Sequence, residues 1–146
     1  MIDTAIQQAI FTKLSDDAEL IAELADHYER PDDPAIYDDV PQPDRTEDDS
    51  FFPYITIGDD TVSDWSTDTE SGGDVEAWIH VWSRFGGRKE CKRILGLVYA
   101  SLHRQQLAVA GYHFIGCDFL SSETSRDPDM RTQHGTIRFR IIVDEE

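Results

Sequence analysis

The chain has 146 residues with 39% hydrophobic and 10% aromatic content, a globular composition of one-domain length that excludes a disordered or fibrous protein. Its formal net charge of −17, from 30 acidic and 13 basic side chains, excludes a protein that grips nucleic acid through clustered Lys and Arg. Two cysteines 26 positions apart, no charged-then-apolar leader and no long apolar run point away from a disulfide framework, secretion and membrane spanning, with a reducing cytoplasm as the default.

Taken in chain order, the first element is a helix over Asp3 to Leu14, where Ile6, Ala9, Ile10 and Leu14 form an apolar stripe. Asp3 or Thr4 caps its start. Ser15 is placed to cap a second, short helix in "DDAELIAELADHY", whose apolar face is Leu20, Ile21 and Leu24. An acidic, Pro-rich loop follows over 31–50, with prolines at 31, 34, 41 and 43. Inside it "AIYDDV" is a candidate edge strand.

"FPYITIGDDTV" reads as a strand, and "DVEAWIHVWSR" as the next. In the latter Val75, Ala77, Ile79 and Val81 point one way, while Glu76, Trp78, His80 and Trp82 point the other. Between them "SDWSTDTESGG" reads as the long tip of an antiparallel hairpin. "GGRKECKRILGLVYASLHRQ" carries the strongest helix pattern, with Cys91, Ile94, Leu95, Val98 and Leu102 on one face. Gly96 costs about 1 kcal/mol relative to Ala in a helix interior and is assigned to close packing. "YHFIGCDFLSSET" and "GTIRFRIIVDE" are the third and fourth strands, joined by the polar "SRDPDMRTQHG" as a second long, mobile tip. In the fourth strand Ile137, Phe139, Ile141 and Val143 make the core face, while Arg138 and Arg140 face outward.

The order α-α-(β)-β-β-α-β-β predicts an α+β fold. It is one domain over 1–146, a four-stranded antiparallel sheet plus the short edge strand, with helices on one face.

Seven carboxylates crowd the segment from Asp59 to Glu76. Calcium-loop spacing fails there, because a frame starting at Asp64 puts Thr69 where glycine is required. A frame starting at Asp127 puts Arg131, Thr132 and Arg138 at ligand or glycine positions. The five histidines form no HExxH, and there is no GxSxG elbow or P-loop. His80 shares the Trp78/Trp82 face, where packing or a hydrogen bond explains it. Cys91 falls on a core face, and Asp118 alternates into solvent. These readings predict no metal, no cofactor and no catalysis.

The tryptophan face needs cover, either from the same chain or from another subunit. Charge is also uneven. Residues 1–76 carry 22 acidic and 3 basic side chains, and residues 77–146 carry 8 and 10. This predicts a lopsided subunit if the halves occupy different surfaces. A saline source is the other reading of such acidity.

The strung-together stretches "AIYDDVPQ", "FPYITIGDDTVSDWSTDTESGGDVEAWIHVWSR", "GRKECKRILGLVYASLH" and "RDPDMRTQHGTIRFRI" resemble the small tail-completion proteins, or tail terminators, of long-tailed phages and gene transfer agents. The resemblance runs from about Ala5 to Val143. It departs at "PDRTEDDSF", which intervenes between the "VPQ" turn and the "FPY" strand. It implies a structural virion protein, assembled in the bacterial cytoplasm, that forms a homo-oligomeric ring of six. The ring caps the head-proximal end of the tail tube, stops polymerisation of the tube protein and joins the head–tail connector or stopper. DNA passes its acidic channel without specific binding, and no membrane, catalysis or cofactor is involved. Asp64, Trp65, Asp68 and Glu70, with Asp127, Asp129 and Arg131, become candidates for a pore or ring-junction loop. Trp78, Trp82, Arg84, Arg138 and Arg140 become candidates for the subunit interface. The alternatives are a connector or stopper on the portal side and a small acidic α+β enzyme.

Overall fold

Two strands that alternate strictly between core and exterior form the centre of the molecule. The computed structural model describes residues 2–24, 35–38, 52–64, 72–84 and 87–145. Strand β3 (Gly72–Ser83) pairs antiparallel with β5 (Gln133–Glu145), from Gly72↔Asp144 through to Ser83↔Gln133. Val75, Ala77, Ile79 and Val81 on β3 and Ile137, Phe139, Ile141 and Val143 on β5 are buried on one side. Each of these side chains except that of Ala77 contributes about 1.5–3 kcal/mol on full burial. A one-residue slip would turn this whole set outward, so the register is strongly specified.

Strand β2 (Tyr54–Asp64) lies antiparallel on the outer side of β3, and β4 (Tyr112–Arg126) on the outer side of β5. The two-residue β1 (Ile36–Tyr37) runs parallel to β2 at the edge, where "AIYDDV" was expected. The sheet order is β1-β2-β3-β5-β4, so the fold is α+β with five strands rather than four. Gly58 takes a φ of 140° at the irregularity that shifts the β2 register, and a Cβ there would lie 3.2 Å from the Asp38 carbonyl. Only glycine lets β2 bend at that close approach.

Helices α1 (Ile2–Ser15), α2 (Ala18–Leu24) and α3 (Lys89–Leu102) cover the buried face. The expected stripes are the buried ones: Ile6, Ala9, Ile10 and Leu14 on α1, and Cys91, Ile94, Leu95, Val98 and Leu102 on α3. The cap of α2 differs from expectation. Asp17 Oδ1, not Ser15, accepts the Glu19 and Leu20 backbone N–H groups at 3.1 and 3.2 Å. Ser15 closes α1 instead, and its buried hydroxyl has no partner among the described residues. Gly96 differs too. A Cβ there would meet nothing within 4 Å, so this glycine faces outward and mediates no close helix packing.

The connection between β4 and β5 is shorter than the sequence suggested. Both strands run on, leaving residues 127–132 as the turn. The outer edge of β4, the one not paired with β5, is also sealed at its middle. The Arg104 N–H donates to the Cys117 carbonyl at 2.7 Å, and the Phe119 N–H donates to His103 Nδ1 at 3.1 Å. No described helix is long and apolar enough to cross a membrane.

Candidate interaction surface

The face of the sheet turned away from the helices is the largest functional candidate, because among the described residues no helix covers it. Cross-strand rows across β2, β3, β5 and β4 build it. One row is Tyr54, Trp82, His134 and Ser125, and the next is Thr56, His80, Thr136 and Glu123. Then come Asp59, Trp78, Arg138 and Ser121, followed by Thr61, Glu76, Arg140 and Asp118. Neighbours in a row stand about 5 Å apart at Cβ, close enough to interact.

The charges in these rows neutralise one another. The Arg140 guanidinium donates to both Asp74 oxygens at 2.7–3.0 Å, which raises its pKa above the ordinary arginine value. Arg138 lies 3.8 Å from Glu76, donates to Ser121 at 3.0 Å and stacks 5.6 Å above the Trp78 ring. The acidic first half and the more basic second half therefore interleave. They meet strand by strand, because β3, which crosses the 76/77 boundary, is hydrogen-bonded to β2 from the first half and to β5 from the second.

At the other end of the face the aromatics dress themselves. Trp82 stacks on His134 at 3.9 Å and 6° and donates its Nε1–H to Thr56 Oγ1 at 3.2 Å. Tyr54 packs beneath it, 1% exposed, and burial pushes its phenol up to about 12. His80 bridges two partners: Nε2 to Asp59 Oδ2 at 2.7 Å and Nδ1 to His134 Nε2 at 2.8 Å. These groups floor a recess of about 260 Å³ rimmed by Asp38, Thr56 and Asp59. A second recess of about 400 Å³ lies between α3 and β4 over Leu95, Tyr99 and Phe119.

A metal does not suit the histidine pair. The ring centroids are 5.0 Å apart while the facing nitrogens are 2.8 Å apart. The facing nitrogens therefore point straight at each other, and a metal on the line between them would sit roughly 1.4 Å from each, inside the ordinary metal–nitrogen distance of roughly 2.0 Å. No group of three His, Cys, Asp or Glu side chains among the described residues has metal-site geometry.

The interface candidates separate into two kinds. Trp78, Arg138 and Arg140 sit mid-face, half exposed. Trp82 is largely covered by His134 and Tyr54. Arg84 is turned inward, its side chain 11% exposed, with Nε donating to Thr132 Oγ1 at 2.9 Å and the guanidinium 4.2 Å above Phe52.

The loop candidates are not brought together. Asp64 is exposed at the distal end of β2, opposite Gly73, while Trp65, Asp68 and Glu70 lie outside the described residues. Asp127, Asp129 and Arg131 occupy the turn at the opposite end of the sheet. The twelve residues of β3 put about 36 Å between these two ends. Asp129 organises that turn. It accepts from the Thr132 hydroxyl at 2.7 Å and from the Arg131 and Thr132 N–H groups at 2.9 Å. The Thr132 hydroxyl bond and these backbone bonds hold its carboxyl down at about 2, with Arg84 3.6 Å away.

Sequence reasoning missed the His80–His134 pair, because 54 residues separate its members and only the β3–β5 register joins them. It also missed Glu90, 4% exposed and accepting the Ser83 hydroxyl at 2.7 Å. An acidic residue inside an otherwise apolar helix face was the available signal.

Comparison with known proteins points one way. The family described as "Tail completion protein gp17" matches residues 8–144. The tail completion protein gp17 of Bacillus phage SPP1 is 29% identical over 97 residues, which span 65% of this chain and 70% of that protein. A chain in the virion of a native gene transfer agent particle superposes with a TM-score of 0.82 at 24% identity, over 98% of this chain and 97% of that one, and so shares the fold. The chain belongs to the tail completion protein gp17 family, and is a structural component of phage-type particles and not an enzyme.

Proposed function

We propose that the protein is a tail terminator: six copies form a ring on the head-proximal end of the tail tube, stop its growth and join it to the head connector. The observation that carries this reading is the open sheet face, where Trp78, Arg138 and Arg140 lie half-buried with no described helix over them. A one-sided sheet with aromatic and arginine side chains on its bare face matches the composition of a protein interface. A ring needs a heterologous contact, in which this face meets a different surface of the next copy. The net charge of −17 keeps DNA phosphates from adhering as the genome passes, since like charges repel. Asp64 and the Asp127–Arg131 turn, at opposite ends of the sheet, then belong to two axial levels of the ring.

Light scattering on the protein mixed with tube ends tests this reading. The expected mass gained per tube end over the tube alone is six times the 16.6 kDa chain. Retention by the tube protein, with none by portal-side proteins, supports a terminator. The reverse pattern supports a connector or stopper on the portal side, and retention by neither overturns both.

A further inference from the structure

We propose that His80 and His134 form a shared-proton switch. The pair holds one proton without disturbance, whereas a second breaks their hydrogen bond and releases the His134–Trp82 stack, so the open face has two states set by pH. This goes beyond the ring reading and does not depend on what covers the face.

The geometry dictates the proton count. Asp59 Oδ2, 2.7 Å from His80 Nε2, accepts that N–H in either charge state. With the pair neutral, His134 Nε2–H donates to His80 Nδ1 across the 2.8 Å gap. With one proton added at His134 Nδ1, the Nε2 proton crosses the gap: His80 becomes the cation beside Asp59, its Nδ1–H points the other way, and His134, now the Nδ1–H tautomer, accepts at Nε2. Both states keep every bond. A second proton puts an N–H on each of two facing nitrogens, and neither can then accept. The rings must part, and His134 is the ring that lies flat against Trp82.

The surroundings decide which ring gives way. His80 is held from behind by Asp59 on β2. Among the described residues His134 has no carboxylate in contact; Glu123 on β4, opposite Thr136, and Asp127 in the turn attract its charge from a distance, and Asp38 after β1 rims the recess. Burial, and then repulsion from His80, outweigh that attraction and keep the His134 imidazole below its ordinary value. Thr136 Oγ1, 3.5 Å from both facing nitrogens, is placed to take over a donor when they separate.

The test is a titration of the uniformly ¹⁵N-labelled full chain from pH 8 to pH 5. Imidazole nitrogens are followed by NMR and tryptophan emission is recorded in parallel, with Trp82→Phe identifying the Trp82 signal. The expected result is two separated protonation steps for the pair, with the Trp82 change tracking only the second. His134→Gln is expected to abolish that change and leave His80 with a single step. His80→Gln gives the same test from the other partner should the first variant fold poorly. Two independent imidazoles near the ordinary value of about 6.5, or a Trp82 change that survives in both variants, would overturn the proposal.

Discussion

Gly135 on β5 lies directly beneath Cys91 on α3. A Cβ at position 135 would stand 2.6 Å from the Cys91 sulfur and 2.9 Å from Leu95 Cδ1. The helix can seat on the sheet only because that Cβ is missing. Gly135→Ala is expected to lower stability by about 1–3 kcal/mol through overpacking, read as a lower urea midpoint with an unchanged slope.

The same contact makes Cys91 a built-in reporter. Burial pushes its thiol up to about 11 and that of Cys117 up to about 12, with Glu90 and Asp118 adding to burial. A thiolate is the reactive form, so neither cysteine should react with an aromatic disulfide reagent at pH 8 in the native state. In Gly135→Ala the labelling rate should rise in step with the loss of stability. Rapid labelling of the unaltered protein would contradict the packing described.

Asp129 sets a pH dependence whose sign follows from its depressed carboxyl. Its folded value of about 2 lies below the ordinary 3.8. The unfolded chain therefore binds the proton first as pH falls. The contribution is fully present above about pH 4 and is lost between there and about pH 2. Asp129→Asn should lower the unfolding midpoint at pH 7, and its deficit against the unaltered chain should shrink across that acid window. A deficit that stays constant with pH would assign the loss to turn geometry alone.

What the residues revealed, and what they hid, follows from one-sidedness. β3 and β5 were legible because each buries one face only, so polarity alternates along them without a break. β4 was legible as a strand but not in detail, because register shifts at Phe114/Gly116 and Phe119/Ser121 scramble its alternation. The sheet order was not legible, since β3 pairs with β5 across an intervening helix and strand. The polar composition of 125–135 looked like a long mobile tip. Its polarity instead supplies the Asp129–Thr132 bonds that make a short turn. For the open face, Trp78, Arg138 and Arg140 were visible by alternation, whereas the inward use of Arg84 depends on the distant Phe52 and Thr132.

Glu90 predicts a coupling that single substitutions would misjudge. Ser83 is fully buried and donates to Glu90 at the junction of β3 and α3. Glu90→Ala removes this acceptor and should cost about 1–3 kcal/mol. Ser83→Ala should cost less, and the double variant less than the sum, because the two losses are the same bond. A double-mutant cycle on urea midpoints should return an interaction of at least about 0.5 kcal/mol; strict additivity would mean the bond contributes nothing.

Two adjacent residues on β3 separate folding from assembly. Ile79 is fully buried against the helices, while Trp78 is half-buried on the other face beneath Arg138. Ile79→Ala leaves a cavity and should cost about 2–5 kcal/mol of monomer stability. Trp78→Ala removes a large aromatic from a surface that no described helix covers. Its cost to the monomer should be nearer the roughly 1 kcal/mol typical of substitutions, while binding to tube ends should fall by tenfold or more, as for an interface anchor costing about 2 kcal/mol. The pair of measurements is a urea melt and a tube-binding titration for each variant. If Trp78→Ala binds tube ends as well as the unaltered chain, the open face is not the contact, and the proposed ring would have to close through the β2 or β4 edge instead.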